Sequence, residues 1–157
     1  DDDYRRQNEH NSERFFYPLN EKTSFKINKN FRELTKNKKG EEIIIRTKGR
    51  KFQIRNFFQG ITRLDFRDLC DENLGSEDYI NIAEVCNHIF IENIPNFNDN
   101  NSNQQLRFIT LIDIFYEKKI KLTISAANDF AYIGSSKKHY EVFKRTLSRL
   151  HEMTKVI

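Results

Sequence analysis

Cysteine and histidine are scarce in this sequence, and their scarcity excludes two kinds of protein. The 157 residues include only two cysteines and four histidines. Two cysteines cannot build a disulfide scaffold or a four-ligand zinc site, and the histidines lack the close spacing of metal-binding motifs. We therefore expect Cys70 and Cys86 to be buried thiols in a reducing compartment, and we expect no metal site.

Long apolar runs are also missing. No stretch of 18 apolar residues occurs, and the opening Asp1-Asp2-Asp3-Tyr4-Arg5-Arg6 is neither a signal peptide nor a basic amphipathic presequence. A membrane-spanning or secreted protein is therefore not expected. The first residue is not methionine, which favours a trimmed chain or a piece of a longer one.

The motifs of a P-loop ATPase are absent too. Such an enzyme needs a Gly-x-x-x-x-Gly-Lys-Ser/Thr loop and an apolar strand ending in Asp-Glu. The nearest segments are Leu74-Gly75-Ser76, which has no lysine, and Ile89 to Asn93, which ends in Glu-Asn. We interpret both as helix-capping and strand-end geometry without a ligand. No nucleophile, base and orienting group are grouped as a stand-alone enzyme would require.

The composition that remains is globular, with 37% hydrophobic residues, 32% charged residues and 14 phenylalanines. This is enough apolar material for one main core. The charge is uneven: residues 1–60 carry 15 basic and 9 acidic groups, whereas residues 61–157 carry 12 and 14. The net positive charge therefore lies entirely in the first third of the chain.

Residues 42–55 predict a basic β-hairpin. Two β-branched runs flank Lys48-Gly49-Arg50, and period-two alternation separates an apolar face from a basic one. The candidate surface for an acidic partner is formed by Arg46, Lys48, Arg50, Lys51 and Arg55. Nucleic acid, an anionic membrane and an acidic protein polymer are the alternatives, and nucleic acid is disfavoured because no aromatic-interleaved motif accompanies the cations.

After Gly60 the pattern alternates between strands and helices, which predicts parallel strands with right-handed crossovers. We expect a three-layer α/β domain over 60–157, preceded by an N-terminal segment and hairpin over 1–59. The predicted strands cover 61–66, 89–91 and 120–124. A short helix carries Phe25, Ile27, Phe31 and Leu34 and ends near Asn37-Lys38-Lys39-Gly40. Further helices cover 76–86, capped by Ser76, 104–116 and 140–153, and an exposed loop covers 96–103.

The polar face of the last helix suggests a functional site. An apolar stripe of Tyr140, Phe143, Leu147 and Leu150 leaves Arg145 and Arg149 one turn apart on the other side. One hypothesis is an arginine sensor that reaches a phosphate or a neighbouring domain. The other is a solvated face on which Glu141 braces Arg145 and Glu152 lies near Arg149.

The order of motifs resembles the C-terminal half of the ZapE-type P-loop ATPases, whose mitochondrial relatives are called AFG-one-like or lactation-elevated proteins. The motifs are Asp3-Tyr4-Arg5, Gly49-Arg50, Thr62 to Cys70, Leu74 to Ile80, Ile94-Pro95, Leu106 to Glu117, Lys121 to Ala127 and Phe143 to Met153. Where this family usually has Ala-Arg-Arg-Phe, the chain has Gln105-Leu106-Arg107-Phe108. Arg107 is retained, so a role for paired arginines is halved or lost.

The resemblance implies a degenerate P-loop or AAA-like core in an ATPase that uses ATP and magnesium when intact. The phosphate-binding loop and Asp-Glu motif would lie in an N-terminal half, which is the expected partner of this chain. We expect the present chain to bind no cofactor and to be inactive alone. In bacteria the family implies cytoplasmic action at the division site on FtsZ or other division or membrane proteins. In eukaryotes it implies mitochondrial protein quality control. Arg145, Arg149 and Arg107 are the candidate sensor or finger residues.

Overall fold

The computed structural model describes residues 14–156. In chain order the elements are β1 (Phe15–Phe16), α1 (Glu21–Leu34), β2 (Glu41–Thr47), β3 (Arg50–Phe58), β4 (Ile61–Asp65), α2 (Phe66–Cys70), α3 (Ser76–Val85), β5 (His88–Ile94), α4 (Ser102–Glu117), β6 (Lys121–Ala126) and α5 (Tyr140–Met153), with a 3₁₀ turn over Asp99–Asn101. The predicted role of the Asp3-Tyr4-Arg5 motif lies outside the described residues.

The strands form one six-stranded sheet in the order β1-β6-β5-β4-β3-β2. Strands β1, β6, β5 and β4 are parallel to one another, and β3 and β2 continue the sheet in antiparallel pairing from β4 onward. The predicted α/β fold with a mostly parallel sheet is confirmed. The division of the chain at residues 59 and 60 remains a prediction, and the pairing of β3 with β4 spans it.

Helices cover the sheet unequally. One face carries the larger core, where strand residues such as Leu64, Ile91 and Ile124 pack with residues of α2 to α5. On the opposite face Phe16 and Phe90 pack against Ile27 of α1. The result is three layers, with a single helix on the second face.

Local capping chemistry explains where two helices begin. Helix α1 begins at Glu21, four residues before Phe25, the first residue of its predicted apolar pattern, because the Asn20 side chain accepts a hydrogen bond from the Thr23 N–H. Helix α3 begins at Ser76, as predicted, but its N-cap is Gly75 and not Ser76. Its Asp78 carboxylate accepts the Gly75 N–H at 2.9 Å.

The strand predicted over 61–66 ends one residue early. Asp65 accepts a hydrogen bond from the Arg67 N–H and starts the short helix α2 at Phe66. The loop predicted over 96–103 is also shorter, because the 3₁₀ turn and the first residues of α4 occupy its second half.

The apolar stripe predicted on the last helix is partly wrong. Phe143 and Leu150 are buried as expected, but Tyr140 is 55% exposed. Thr146 and Met153 lie in the buried stripe instead. The helix therefore packs slightly rotated from the position that its hydrophobic pattern predicts.

Both cysteines are buried and free, as predicted. Burial raises the pKa of the Cys70 thiol, and it raises the pKa of Cys86 to about 12. Neither thiol is a thiolate near neutral pH, so neither is an activated nucleophile.

Two kinds of feature are absent from residues 14–156. No helix there combines the length and apolarity needed to cross a bilayer. Within the same range no three side chains of His, Cys, Asp or Glu are grouped as a metal ion would require.

Candidate functional site

Asp113 joins the two arginines that the sequence pattern placed on the last helix. Arg149 Nη1 lies 2.6 Å from Asp113 Oδ1, and Arg145 Nη2 lies 3.6 Å from Asp113 Oδ2. Asp113 is on α4 and both arginines are on α5, so the carboxylate bridges two packed helices. Because Arg145 and Arg149 are one turn apart, a single carboxylate can face both guanidinium groups.

The two arginines are held differently. The Arg149 side chain is 23% exposed, and its guanidinium carbon lies 4.5 Å from the centroid of the Tyr116 ring. The Arg145 side chain is 59% exposed, and among residues 14–156 it has only the longer contact to Asp113. Arg149 is therefore fixed by an ion pair and a cation–π contact, whereas Arg145 can leave Asp113 at small cost.

The solvated-face hypothesis assigned Glu141 to Arg145 and Glu152 to Arg149, and the structure pairs these glutamates with other residues. Glu141 pairs with Lys144 at 3.2 Å, not with Arg145. Glu152 accepts a hydrogen bond from the Tyr116 hydroxyl at 3.2 Å. The Tyr116 ring in turn contacts the Arg149 guanidinium, so Tyr116 lies between Glu152 and Arg149. The carboxylate that faces both arginines comes from another helix.

Arg107 is separate from this cluster. Its Nη1 donates to the Cys70 carbonyl oxygen at 2.8 Å. This contact joins α4 to the last residue of α2, where an unpaired carbonyl oxygen needs a donor. The structure therefore does not bring Arg107 together with Arg145 and Arg149.

An open groove of about 660 Å³ adjoins the arginine cluster. Tyr116 and Glu152 line it next to Arg149, and Arg14 and Met153 lie on its wall. Arg14 donates to the carbonyl oxygens of Leu122 and Met153 at 3.0 and 3.1 Å. The groove thus extends from the arginine cluster to Arg14, the residue that precedes β1.

The carboxyl edge of the parallel sheet is where an α/β fold usually binds ligands. There Glu92 forms a two-point pair with Arg63, at 2.6 and 2.9 Å. Arg63 also lies over the Phe31 ring at 5.7 Å. The acidic strand end that resembles an ATPase motif is therefore neutralised by a neighbouring strand.

Asn93 ties three strands together at the same edge. Its backbone is left-handed, with φ of 67°, and its N–H donates to Ser125 Oγ at 2.9 Å. Its side-chain amide donates to Asp65 Oδ2 at 2.6 Å. Clefts of about 580 and 330 Å³ lie on either side of it. The polar groups here bind one another rather than converging on a cleft.

The glycine-containing turn before α3 does not fit a phosphate either. The Gly75 N–H, which would face a phosphate in a P-loop, already donates to Asp78. That carboxylate is 2% exposed and is paired with Arg50 at 2.6 Å. A bound anion would meet the Asp78 carboxylate there, so the turn before α3 is not a phosphate cradle.

The basic hairpin divides into paired and unpaired cations. Lys48 pairs with Glu77 at 3.1 Å and Arg50 pairs with Asp78, which fastens the hairpin turn to α3. Arg46, Lys51 and Arg55 are exposed, and no acidic side chain among residues 14–156 pairs with them. Of the five candidate partner-surface residues, these three remain available.

Sequence reasoning missed the carboxylates that organise these sites. Asp113 sits inside the apolar run Leu111 to Phe115, and a lone charge there is the signal that another element supplies its partner. Glu92 and Asp78 likewise pair across 29 and 28 residues. No local spacing rule identifies such partners.

The mixed, mostly parallel sheet with helices on both faces defines an α/β protein whose fold is consistent with the P-loop-like class. The sequence profile of the AFG1-like ATPase family matches residues 1–157. The chain therefore belongs to the AFG1-like ATPase family, and the resemblance stated from its motifs is confirmed.

Three relatives show how the chain relates to longer proteins. Lactation elevated protein 1 homolog B of Danio rerio is 31% identical over 83 residues, covering 53% of this chain and 16% of that protein. Cell division protein ZapE of Escherichia coli K12 is 31% identical over 90 residues, covering 57% and 24%. An uncharacterized protein of Schizosaccharomyces pombe is 25% identical over 183 residues, covering 98% and 40%. The chain thus spans less than half of each relative. No solved structure matches it.

Proposed function

We propose that this chain is the C-terminal part of an ATPase and that it regulates, rather than performs, ATP hydrolysis. The family is an ATPase family, and the chain spans 16% to 40% of the relatives above. The 157 residues contain no phosphate-binding loop motif. ATP and magnesium are then bound by an N-terminal P-loop half of the intact protein, and this chain alone binds neither.

The bridging of Arg145 and Arg149 by Asp113 is the observation that supports a regulatory role. A carboxylate shared by two arginines leaves one positive charge in excess at the surface of α5. Arg145, the more exposed and more loosely held, is the residue that contacts an anionic oxygen of the N-terminal half or of its nucleotide. Arg149 keeps α5 fixed on α4 while that contact forms or breaks.

ATP turnover by the intact protein tests this role. We expect Arg145→Ala to lower turnover while leaving the unfolding temperature unchanged, because its contact to Asp113 is long and exposed. Lys144→Ala is the matched control, since Lys144 is a neighbouring exposed cation paired only on its own helix. Equal turnover in all three proteins would contradict the proposal.

The same experiment separates nucleotide contact from contact between halves. If Arg145 contacts the nucleotide, Arg145→Ala raises the KM for ATP. If it contacts an acidic group of the N-terminal half, kcat falls at constant KM and the affinity between separately purified halves falls too.

Calorimetric titration of ATP and magnesium into the present chain should give no binding heat, and a saturable signal would show that the chain is not a purely regulatory part.

The proposed cellular role rests on the family resemblance. One relative is named a cell division protein, which favours action at a bacterial division site. For a bacterial protein we infer cytoplasmic action there, on FtsZ or on another division or membrane protein. For a eukaryotic protein the resemblance to the lactation-elevated proteins implies mitochondrial protein quality control. Fluorescence localisation of the intact protein tests the setting: an even cytoplasmic signal would argue against both.

A second candidate function is binding of an acidic partner by the hairpin. It is favoured by the absence of acidic partners for Arg46, Lys51 and Arg55 within residues 14–156. Binding should weaken as ionic strength rises, and Lys51→Glu should weaken it more than Lys48→Glu. Affinity that does not depend on salt would remove this function.

A further inference from the structure

The edge strand β2 is an open end of the sheet. It is seven residues long, and in the described part of the chain it pairs only with β3. It contains no proline, and its centre is Ile43-Ile44-Ile45, with Ile44 49% exposed. An edge strand without proline presents unpaired N–H and C=O groups to which another strand can bind, and charged residues on the edge then select which strand fits.

The hairpin turn determines which backbone groups of β2 are open. Lys48 and Gly49 have φ of 43° and 82°, as in a two-residue type I′ turn, and Thr47 lies opposite Arg50. The pair that closes such a turn is hydrogen-bonded, so Thr47, Ile45 and Ile43 bond to β3. The N–H and C=O groups of Glu42, Ile44 and Arg46 therefore point away from the sheet.

The sequence of β2 is complementary to itself. We propose that β2 pairs antiparallel with β2 of a second copy, about a two-fold axis at Ile44. Glu42 then lies opposite Arg46 of the second copy, and Arg46 lies opposite its Glu42. Each of these pairs, and the central Ile44 pair, is a hydrogen-bonded pair of an antiparallel ladder. The two sheets become one continuous sheet with an isologous contact.

Charge on the exposed face of the hairpin supports this pairing. Arg46 lies directly opposite Lys51 in the β2–β3 register, and like charges so placed destabilise a sheet. By strand alternation Glu42, Ile44 and Arg46 share this face. In the dimer a glutamate flanks Arg46 on the side away from Lys51, which offsets the repulsion. A parallel in-register pairing would instead set Arg46 beside Arg46.

The irregularity in the hairpin does not disturb this edge. From Glu41 to Ile43 the chain advances two residues on β2, while the paired positions on β3, Phe57 and Ile54, are three apart. The extra residue is therefore on β3, and β2 keeps regular alternation from Glu41 to Thr47. The outer edge is a regular template for a second strand.

Charge reversal tests the dimer in the full chain by sedimentation equilibrium over a range of concentrations. A contact between two short strands is small, so we expect a concentration-dependent monomer–dimer equilibrium. Glu42→Arg and Arg46→Glu should each weaken dimerisation about tenfold or more, because each places like charges at both symmetric pairs. The double variant, which has the wild-type net charge, should restore it.

Matched controls remove effects of net charge. Glu33→Arg on α1 and Lys118→Glu after α4 change the charge as the single variants do, at exposed positions away from β2. They should leave dimerisation unchanged. In hydrogen exchange, the amides of Glu42, Ile44 and Arg46 should gain protection as concentration rises, whereas those of Ile43 and Ile45 are protected throughout.

Three results would overturn the proposal. The first is a chain that stays monomeric at all concentrations, even if its hairpin binds an acidic protein or nucleic acid. The second is a dimer that the single reversals leave intact. The third is a double variant that fails to recover while circular dichroism shows a native fold.

Discussion

Asp113 on α4 and Arg149 on α5 form a 2.6 Å ion pair. These are the two longest helices on the face of the sheet that carries the larger core. The pair is partly buried, with side-chain exposures of 34% and 23%. Arg145 contacts the second oxygen of the same carboxylate. A single aspartate of α4 therefore contacts both arginines of α5.

The Asp113–Arg149 pair should contribute measurably to stability. We expect a coupling free energy of about 1 kcal/mol in a double-mutant cycle of Asp113→Asn and Arg149→Gln, since the pair is well aligned but not fully buried. Urea unfolding of the four proteins measures it. Coupling between Asp113 and Arg145 should be smaller, and a larger value for Arg145 would contradict the geometry.

His88 should make the fold sensitive to acid. Burial, with the nearby charges of Arg14 and Lys121, lowers the pKa of His88 from 6.5 to about 4. The neutral ring is held in the fold, where its Nε2 lies 2.8 Å from Thr123 Oγ1. Its contribution is therefore complete above about pH 6.5 and is lost as the pH falls toward 4.

The size of that loss is about 3 kcal/mol from this group between pH 6.5 and 4. We expect His88→Gln to flatten the pH dependence of the unfolding free energy over this window. Parallel slopes for the two proteins would show that His88 does not titrate as the structure implies.

Asp78 should matter far more than the exposed pair beside it. It is nearly fully buried and accepts hydrogen bonds from Arg50 and from the Gly75 N–H. Asp78→Ala should cost about 2–3 kcal/mol because it removes a helix cap and the hairpin anchor together. Lys48→Ala, which breaks only the exposed pair with Glu77, should cost no more than about 0.5 kcal/mol. Thermal unfolding that shows equal losses would refute this ranking.

The left-handed backbone of Asn93 gives a sharp comparison between glycine and alanine. Both substitutions lose the hydrogen bond to Asp65, but only alanine is strained at φ of 67°. Asn93→Ala should therefore be less stable than Asn93→Gly by about 1 kcal/mol in chemical denaturation. The reverse order would mean that the turn relaxes in solution.

Thr146 is a position where stability can increase. Its side chain is buried on α5, and its hydroxyl has no hydrogen-bond partner among residues 14–156. Thr146→Val keeps the shape and removes the desolvated hydroxyl, so we expect a stabilisation of up to about 1 kcal/mol. Thr146→Ser, which keeps the hydroxyl and loses a methyl group, is the control and should destabilise the protein.

Much of the fold was accessible from the sequence because its signals are local. Alternation of β-branched residues predicted the hairpin, and apolar runs separated by turns predicted β5, β6 and the helices around them. The start of α1 and the short helix α2 were missed, since Asn20 and Asp65 cap through hydrogen bonds that a hydrophobic pattern does not contain. Tyr140 was misassigned because burial depends on what the helix packs against.

The sequence by itself determined the α/β alternation, the uneven charge, the buried thiols and the family, because each depends on residue types and their order along the chain. Only the tertiary structure decided which charges are available. Arg149, Arg63 and Arg50 are held by Asp113, Glu92 and Asp78, residues 28 to 36 positions away, while Arg46 and Lys51 are left side by side. Ion pairing depends on distance in space, and distance in space is fixed by how the sheet and helices pack.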